Sequence, residues 1–595
     1  MTREAMSRRA LLAASILPAA CRRLTDPYFG RTTQSDRQRL CYLLGSEPAS
    51  LDPAFYGGGF EGYVIPALFE TLTNYHPQSL EPMAALATHI EVTGSQLTFF
   101  LRGHERPRGW RLPNTDTLHI EYGEGKLKQD FARGHKAPPD ATPALWSDGH
   151  PVTANDFLYA WRRLLDPKTG APLAERLLGV QGAEAILAGR LAPDRLSITA
   201  VGDFALQVEL RIPPSLFLKM AALPMMAAVP RRVIEAVKSE VDSAWTEPHS
   251  IVTNGAFLLK LRRPYDRIVA VRNPRYYEAG LVTLEEIEFV PVPDGVTAAN
   301  LYRAGSVHAM PGERLSSLLQ HALDGHRDFH VSPAHFVIWH GFNIRKPPFD
   351  NVLLRYALNM ATGKAEIARC FGGGRSVARN IIPSMEGYPA PKTLPITIDG
   401  AIYDVLSYNP EGARSLLAKA GYPNGMGRDG RPLSFEILFP TLPHSRLIAE
   451  MLQQQWRSNL NVEPKLVLRE FNVWLQNTLA LDYSGAAEGG GWPDYLDPNG
   501  IFDWFVKGAA SSCTGYADPL FDQKVSEANE ALEPATRLQR LAKAEEYLLR
   551  SMPVIPIFHN VWLYLQKPFV GGLEGNLLDK HPFKYAWIDT NWRPS

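Results

Sequence analysis

The residues of this chain that could do chemistry are few and scattered. Gly57-Gly58-Gly59-Phe60-Glu61-Gly62 matches the GxGxxG spacing that cradles a pyrophosphate, and Glu81 stands about where a ribose-binding acid would. That reading needs a strand running directly into the glycines. Here the β-like run Leu40 to Gly45 ends too early and Pro53 intervenes, so a flexible loop is the better reading. Asp494, Asp497 and Asn499 are spaced a little like calcium ligands, but no glycine and bidentate Glu of a calcium loop follow. The four cysteines, Cys21, Cys41, Cys370 and Cys513, form neither a CxxC pair nor a zinc pattern, and a Cys370–Cys513 disulfide stays open. The sixteen histidines are dispersed, with His340 beside Trp339 and His444 ahead of an amphipathic run. HExxH, GxSxG and GxxxxGK[ST] are all missing. With no nucleophile–base pair, no metal-ligand set and no cofactor motif to place, the expectation is that the chain is not an enzyme.

The elements that must position any site are mixed along the whole chain. Strands are expected at 40–45, 96–102, 205–211, 256–261, 267–272, 554–558 and 562–566, where β-branched and aromatic residues cluster or alternate. Helices are expected at 63–71, 352–361, 447–456, 521–532 and 536–549. Thr153-Ala-Asn-Asp156 has capping-box spacing ahead of Phe157, Trp161, Leu164 and Leu165, and Asp166-Pro167 should stop that helix. The class is therefore α/β. At 595 residues the chain is too long for one small domain, and three or four lobes are expected. The formal net charge of +0 offers nothing to attract nucleic acid. Residues 103–145, rich in Pro, Gly, His and charge, read as a surface insertion.

The amino terminus has the form of an export signal: Arg3, Arg8 and Arg9 precede the apolar run Ala10 to Ala20, too short to span a bilayer. Ser7-Arg8-Arg9-Ala10-Leu11-Leu12 is similar to a twin-arginine signal. Cys21 follows two alanines as in a lipoprotein cleavage site, although Pro18 stands where such sites carry Leu. The expectation is a signal at 1–21, a linker at 22–35, and a periplasmic or cell-surface protein lipid-anchored at Cys21.

Several segments in order resemble the extracytoplasmic solute-binding proteins, family 5, the oligopeptide-binding proteins of ABC importers. They are Gly45-Ser-Glu-Pro-Ala-Ser-Leu-Asp-Pro53, Leu145-Trp-Ser-Asp-Gly-His-Pro-Val-Thr-Ala-Asn-Asp-Phe157 and Trp161-Arg-Arg-Leu-Leu-Asp-Pro-Lys-Thr169. Further along come Ile251-Val-Thr-Asn-Gly-Ala-Phe257, Arg272-Asn-Pro-Arg-Tyr-Tyr277, Leu301-Tyr-Arg-Ala-Gly305, Pro348-Phe-Asp-Asn-Val352, Ala413 to Tyr422, Pro556 to Gly572 and Leu577 to Pro582. The resemblance implies a periplasmic-binding-protein-like clamp (class II, cluster C): two main mixed-sheet lobes plus an accessory lobe, joined by a two-strand hinge. On this chain lobe I would be 36–68, 176–278 and 561–595, lobe II 69–175 with the insertion 103–145, and lobe III 279–560. The hinge would lie near Ala279–Gly280 and Asn560–Val561.

The resemblance also implies site residues. Gly491-Trp492-Pro493-Asp494-Tyr495 is similar to, but one residue shorter than, the family segment whose aspartate meets a peptide's α-ammonium, so Asp494 would be that anchor. Trp492 would cover an apolar side-chain pocket, Phe471 stands where the family often has a pocket Trp, and Asn254 would bond peptide backbone. His444 falls near a position that can meet a ligand carboxylate. The partners implied are an oligopeptide and the permease and ATPase subunits of an importer, with a monomeric receptor and no cofactor. One departure stands out. Leu481 to Trp492 contains no Arg or Lys, where peptide binders commonly place an arginine for the carboxyl terminus. A modified or non-peptide solute (cell-wall peptide, sugar, metal chelate), or a sensory or chaperone role, are the alternatives.

Overall fold

The structure is a computed structural model describing residues 27–33, 37–105, 109–112, 141–237, 244–312, 315–442, 444–506, 513–531 and 533–593. The expected leader at 1–21, the expected lipidation position Cys21 and most of the expected 103–145 insertion lie outside them. Among the described residues no helix is long and apolar enough to cross a membrane.

One eleven-stranded mixed sheet organises the molecule. From one edge it runs through Glu463–Arg469, Ser434–Pro440, Gly485–Gly491, Phe329–Phe342, Val554–Gln566, Ala309–Pro311, Arg39–Leu44, Glu286–Pro291 and Arg267–Arg272 to Phe257–Arg263, and the short eleventh strand Ser376–Val377 pairs with Val554–Gln566 off this path. The two longest strands, Phe329–Phe342 and Val554–Gln566, lie antiparallel at its centre and belong to both halves. Their ladder pairs Phe329 to Pro333 with Leu565 to Val561, lapses over 334–336, and resumes at Val337 opposite His559. Pro333 has no amide hydrogen to donate, so the ladder breaks where a donor is missing. The amide of His335, inside the gap, bonds instead to the Leu577 carbonyl at 2.7 Å.

Two large apolar cores flank this pair. The first joins Leu40, Phe157, Trp161, Phe217, Trp245, Phe257 and Phe289 to Phe569 and Phe583. The second runs from Val337 through Trp456 to Phe558. A smaller cluster, with Ala298, Tyr302 and Leu323, packs on Leu43 and Leu565. The strand following Ala279–Gly280, Glu286–Pro291, sits between Arg39–Leu44 and Arg267–Arg272. The strand after Ala279–Gly280 thus lies in the same half of the sheet as Arg39–Leu44, and the ladder gap lies at 334–336. A separate five-stranded sheet combines Ala87–Thr93, Gln96–Leu101 and Trp110–Arg111 with Ala205–Glu209 and Ile198–Ala200, so the expected division at 175/176 cuts through a paired sheet.

Local chemistry explains how the first core is pinned. The helix Ala154–Leu165 starts where the Asp156 carboxylate accepts the Thr153 amide at 2.8 Å, and its Arg163 reaches out of the last turn. Arg163 donates twice, at 2.9 and 2.7 Å, to the fully buried Asp52. Asp52 also accepts from the Trp245 indole at 2.9 Å and the Ala54 amide at 3.0 Å. A second buried set ties the carboxy-terminal segment in: the Lys584 ammonium lies 3.5 Å from Glu70 and 3.6 Å from Glu278, and Arg102 lies 3.5 Å from Glu278. Burying these charges is tolerable because each carboxylate keeps a partner. Cys41, Cys370 and Cys513 are free thiols, so the open Cys370–Cys513 pairing is not formed.

Candidate functional site

The central strands deliver one loop into the space between the cores. Strand Gly485–Gly491 pairs antiparallel with Val337–Phe342 and ends in the Gly489-Gly490-Gly491 run. At Gly489 a Cβ would stand 2.4 Å from the Trp339 indole nitrogen. Gly490 has φ +116°, and its Cβ would stand 2.2 Å from the Val337 carbonyl oxygen. Only glycine lets the strand lie this close to its neighbour and then turn out as residues 492–497.

That loop is rooted in one core and inserted into the other. Tyr495 is 2% exposed and packs with the first core, while its hydroxyl donates to Asp503 at 2.9 Å. Burial pushes the Tyr495 phenol well above its ordinary range, so it remains a donor. Leu496 joins Tyr75, Leu80, Ala222 and Leu578, and Lys219 donates to its carbonyl at 3.0 Å. The Asp494 carboxylate meets Arg176, whose Nε donates to Oδ2 at 2.7 Å, and Arg176 Nη1 lies 3.7 Å from Asp503. Burial works against the Arg176 charge, but Asp494 and Asp503 outweigh it and hold the guanidinium more firmly protonated than usual. A Cβ on Gly58 would come 3.9 Å from the other Asp494 oxygen, so the glycine-rich loop of residues 57–59 faces this carboxylate. Lys580, which donates to the Tyr56 hydroxyl at 3.4 Å, also feels the Asp494 charge.

Beside this polar pole stands an aromatic one. Trp492, 39% exposed, meets Phe336 edge-on at 5.1 Å and Trp562 edge-on at 5.3 Å between ring centroids. Phe336 lies in the ladder gap and Trp562 on the second central strand, so Trp492 packs where the paired strands pass between the cores.

The other expected residues lie apart from this group in their contacts. The Asn254 side-chain oxygen accepts the Glu70 amide at 2.9 Å, and the residue is 1% exposed within the first core. Phe471 opens the helix Phe471–Leu479, is 39% exposed, and meets Trp474 at a tilt of 38° with ring centroids 5.4 Å apart. His444 lies 3.4 Å from Glu488, which also accepts from Ser445 at 2.6 Å. Burial alone would raise the Glu488 carboxyl, but His444, His340 and Ser445 keep it below its ordinary value. Arg176, Lys580, Gly58, Phe336 and Trp562 were not singled out as site residues from sequence. The only available signal was the Gly57–Gly62 run, read as a loop without a partner. Among the described residues no His, Cys, Asp and Glu group could hold a metal ion.

The arrangement is a junction between the two cores, which are joined by paired strands, with a charged cluster about Asp494 and an aromatic cluster about Trp492. A profile described as "Bacterial extracellular solute-binding proteins, family 5 Middle" matches residues 143–513. The chain belongs to this family. Among relatives, the periplasmic oligopeptide-binding protein OppA of Escherichia coli (strain K12) is 28% identical over 96% of each chain. The probable deoxycholate-binding periplasmic protein YgiS of the same organism is 28% identical over 72% of this chain and 77% of its own. The solved structure of the Escherichia coli murein tripeptide binding protein MppA superposes with a TM-score of 0.74 at 26% identity, covering 94% of this chain and 99% of that one. The clamp fold of this family 5 solute-binding protein is thus the one the ordered motifs implied.

Proposed function

We propose that the chain is the extracytoplasmic receptor of an ABC importer, exported and tethered at Cys21, that captures oligopeptides by closing two bodies and passes them to a permease. The observation that carries this reading is the convergence of Arg176, Gly58 and Lys580 from one body with Asp494, Tyr495 and Trp492 from the other. In this reading the bodies are residues 37–333 with 561–593, and residues 337–559, the five-stranded sheet serving as the accessory lobe. Closure about 333–337 and 559–561 brings the walls together, and bound solute favours the closed state by touching both. Main-chain groups next to Gly490 and Gly491 suit an extended peptide, because every peptide offers the same amides. Trp492 supplies an apolar surface for a side chain, and Asp494 a negative pole near the ligand's amino end. In this reading Phe471 lines a side-chain pocket and His444 meets the carboxylate of longer ligands, whereas Asn254, expected to bond peptide backbone, is 1% exposed and accepts from the Glu70 amide instead.

A non-peptide solute is the second reading, favoured by the Arg176 guanidinium already seated on Asp494. Mass spectrometry of the solute co-purifying with the protein from its native host tests both. Peptides released on denaturation support capture of oligopeptides. A uniform non-peptide molecule in their place would replace it with the second reading.

A further inference from the structure

The polar wall carries an assignment of ligand chemistry. Asp494 Oδ2 accepts from Arg176 Nε at 2.7 Å, and the two side chains are 15% and 14% exposed. The remaining oxygen faces the backbone at Gly58, and Lys580 adds a second cation nearby. Arg176 is held from its far side as well, 3.7 Å from Asp503. Asp503 in turn accepts from Tyr495. An ammonium arriving at Asp494 would be the third cation about one carboxylate. It would either displace a guanidinium that is braced between two acids or sit beside it uncompensated, and both are costly where the side chains are this buried.

We infer that Arg176 is a specificity-determining residue, a built-in counter-ion that takes the place of a ligand's α-ammonium on Asp494, and that the receptor selects peptides whose amino terminus is acylated or cyclised. This rests on the peptide reading above and narrows it. An amide in place of the ammonium brings no charge. It can donate to whatever acceptor capacity Asp494 has left, while its acyl group lies against the uncharged Gly57–Gly59 loop. The pair also explains the missing cation between Leu481 and Trp492. The cation of this site comes from the opposite body and neutralises the acid there, not a ligand carboxylate.

The test is calorimetric titration of the full mature chain with two forms of one mixed tri- to pentapeptide library, amino-terminally free and amino-terminally acetylated. The wild type should bind the acetylated form at least about 30-fold more tightly, the low end for stranding a buried charge. Arg176→Met leaves Asp494 without its guanidinium and should reverse the preference, whereas Arg176→Lys should retain it. Binding of neither library overturns the peptide reading itself. Equal or tighter binding of the free-amine library by the wild type overturns the role of Arg176 and leaves the peptide reading standing. The wild-type ratio decides this even if Arg176→Met does not fold, and an unchanged ratio in a folded Arg176→Met overturns the role too.

Discussion

Asp52 shows how much one side chain can hold. It is fully buried and accepts from Arg163, Trp245 and Ala54, three points far apart in sequence. Replacing it with Ala strands the Arg163 guanidinium, so Asp52→Ala should lower stability by about 3–5 kcal/mol. A clear drop in melting temperature checks this, and an unchanged melt would count against it. His335 and His340 make a second case: both are fully buried, and burial brings their imidazoles down to about 3 and about 4. The unfolded chain takes up these protons near pH 6.5, which the folded chain refuses until far lower pH. Stability is therefore present above pH 6.5 and is lost as pH falls toward 4. His340→Gln should flatten the fall of melting temperature between pH 6.5 and 5, and an identical slope in wild type and variant would refute the assignment. Asp494 and Trp492 were singled out because their neighbours carry a family pattern. Arg176 was not: its partner lies 318 residues away, and no local spacing marks it.

Among the elements, the paired central strands matter most. The apolar runs 554–558 and 562–566 were expected as two strands, and they form one, Val554–Gln566, because His559 and Asn560 lie where the ladder passes between the cores. The strand Phe329–Phe342 escaped notice, since Pro333 reads as a breaker in isolation and here marks the gap. Most expected helices are present: 352–361 and 536–549 appear as Val352–Met360 and Pro534–Ser551. The glycine run is the element most sensitive to substitution. Gly490→Ala forces a methyl into the Val337 carbonyl at φ +116° and should cost at least about 1–3 kcal/mol from the backbone strain alone. Denaturant unfolding monitored by tryptophan emission would show it as an earlier midpoint. A midpoint equal to wild type would mean that the strands are looser than described.

For the whole molecule, mixed α/β character and the family clamp were legible from end to end, but the order of the strands in the sheet was not. That order is decided by which strands pair, and the pairing of Glu286–Pro291 with Arg39–Leu44 leaves no local mark. The loop bearing Tyr495 and Leu496 leaves a strand of the second core and packs against the first core and against Tyr75, Leu80, Ala222 and Leu578. Tyr495→Ala should therefore loosen the unliganded clamp. Small-angle scattering should give a larger radius of gyration for the variant than for the wild type, with the difference closing on solute binding. Equal radii without solute would show that the inserted ring does not hold the bodies together.

The order in which the chain is made acquires a meaning from the two cores. The second is contiguous, from Val337 to Phe558, and all its parts leave the ribosome together. The first begins at Leu40 yet needs Phe569, Phe583 and the Lys584 ammonium, which are synthesised last. Nascent chains thus carry a finished later half beside an earlier half still waiting for its final strand and its buried cation. Loop closure over most of the chain precedes completion of that half, so its folding is the slow step and the stage most exposed to chaperones and proteases. Loss of the last few dozen residues would spare the half that comes second and undo the half that comes first.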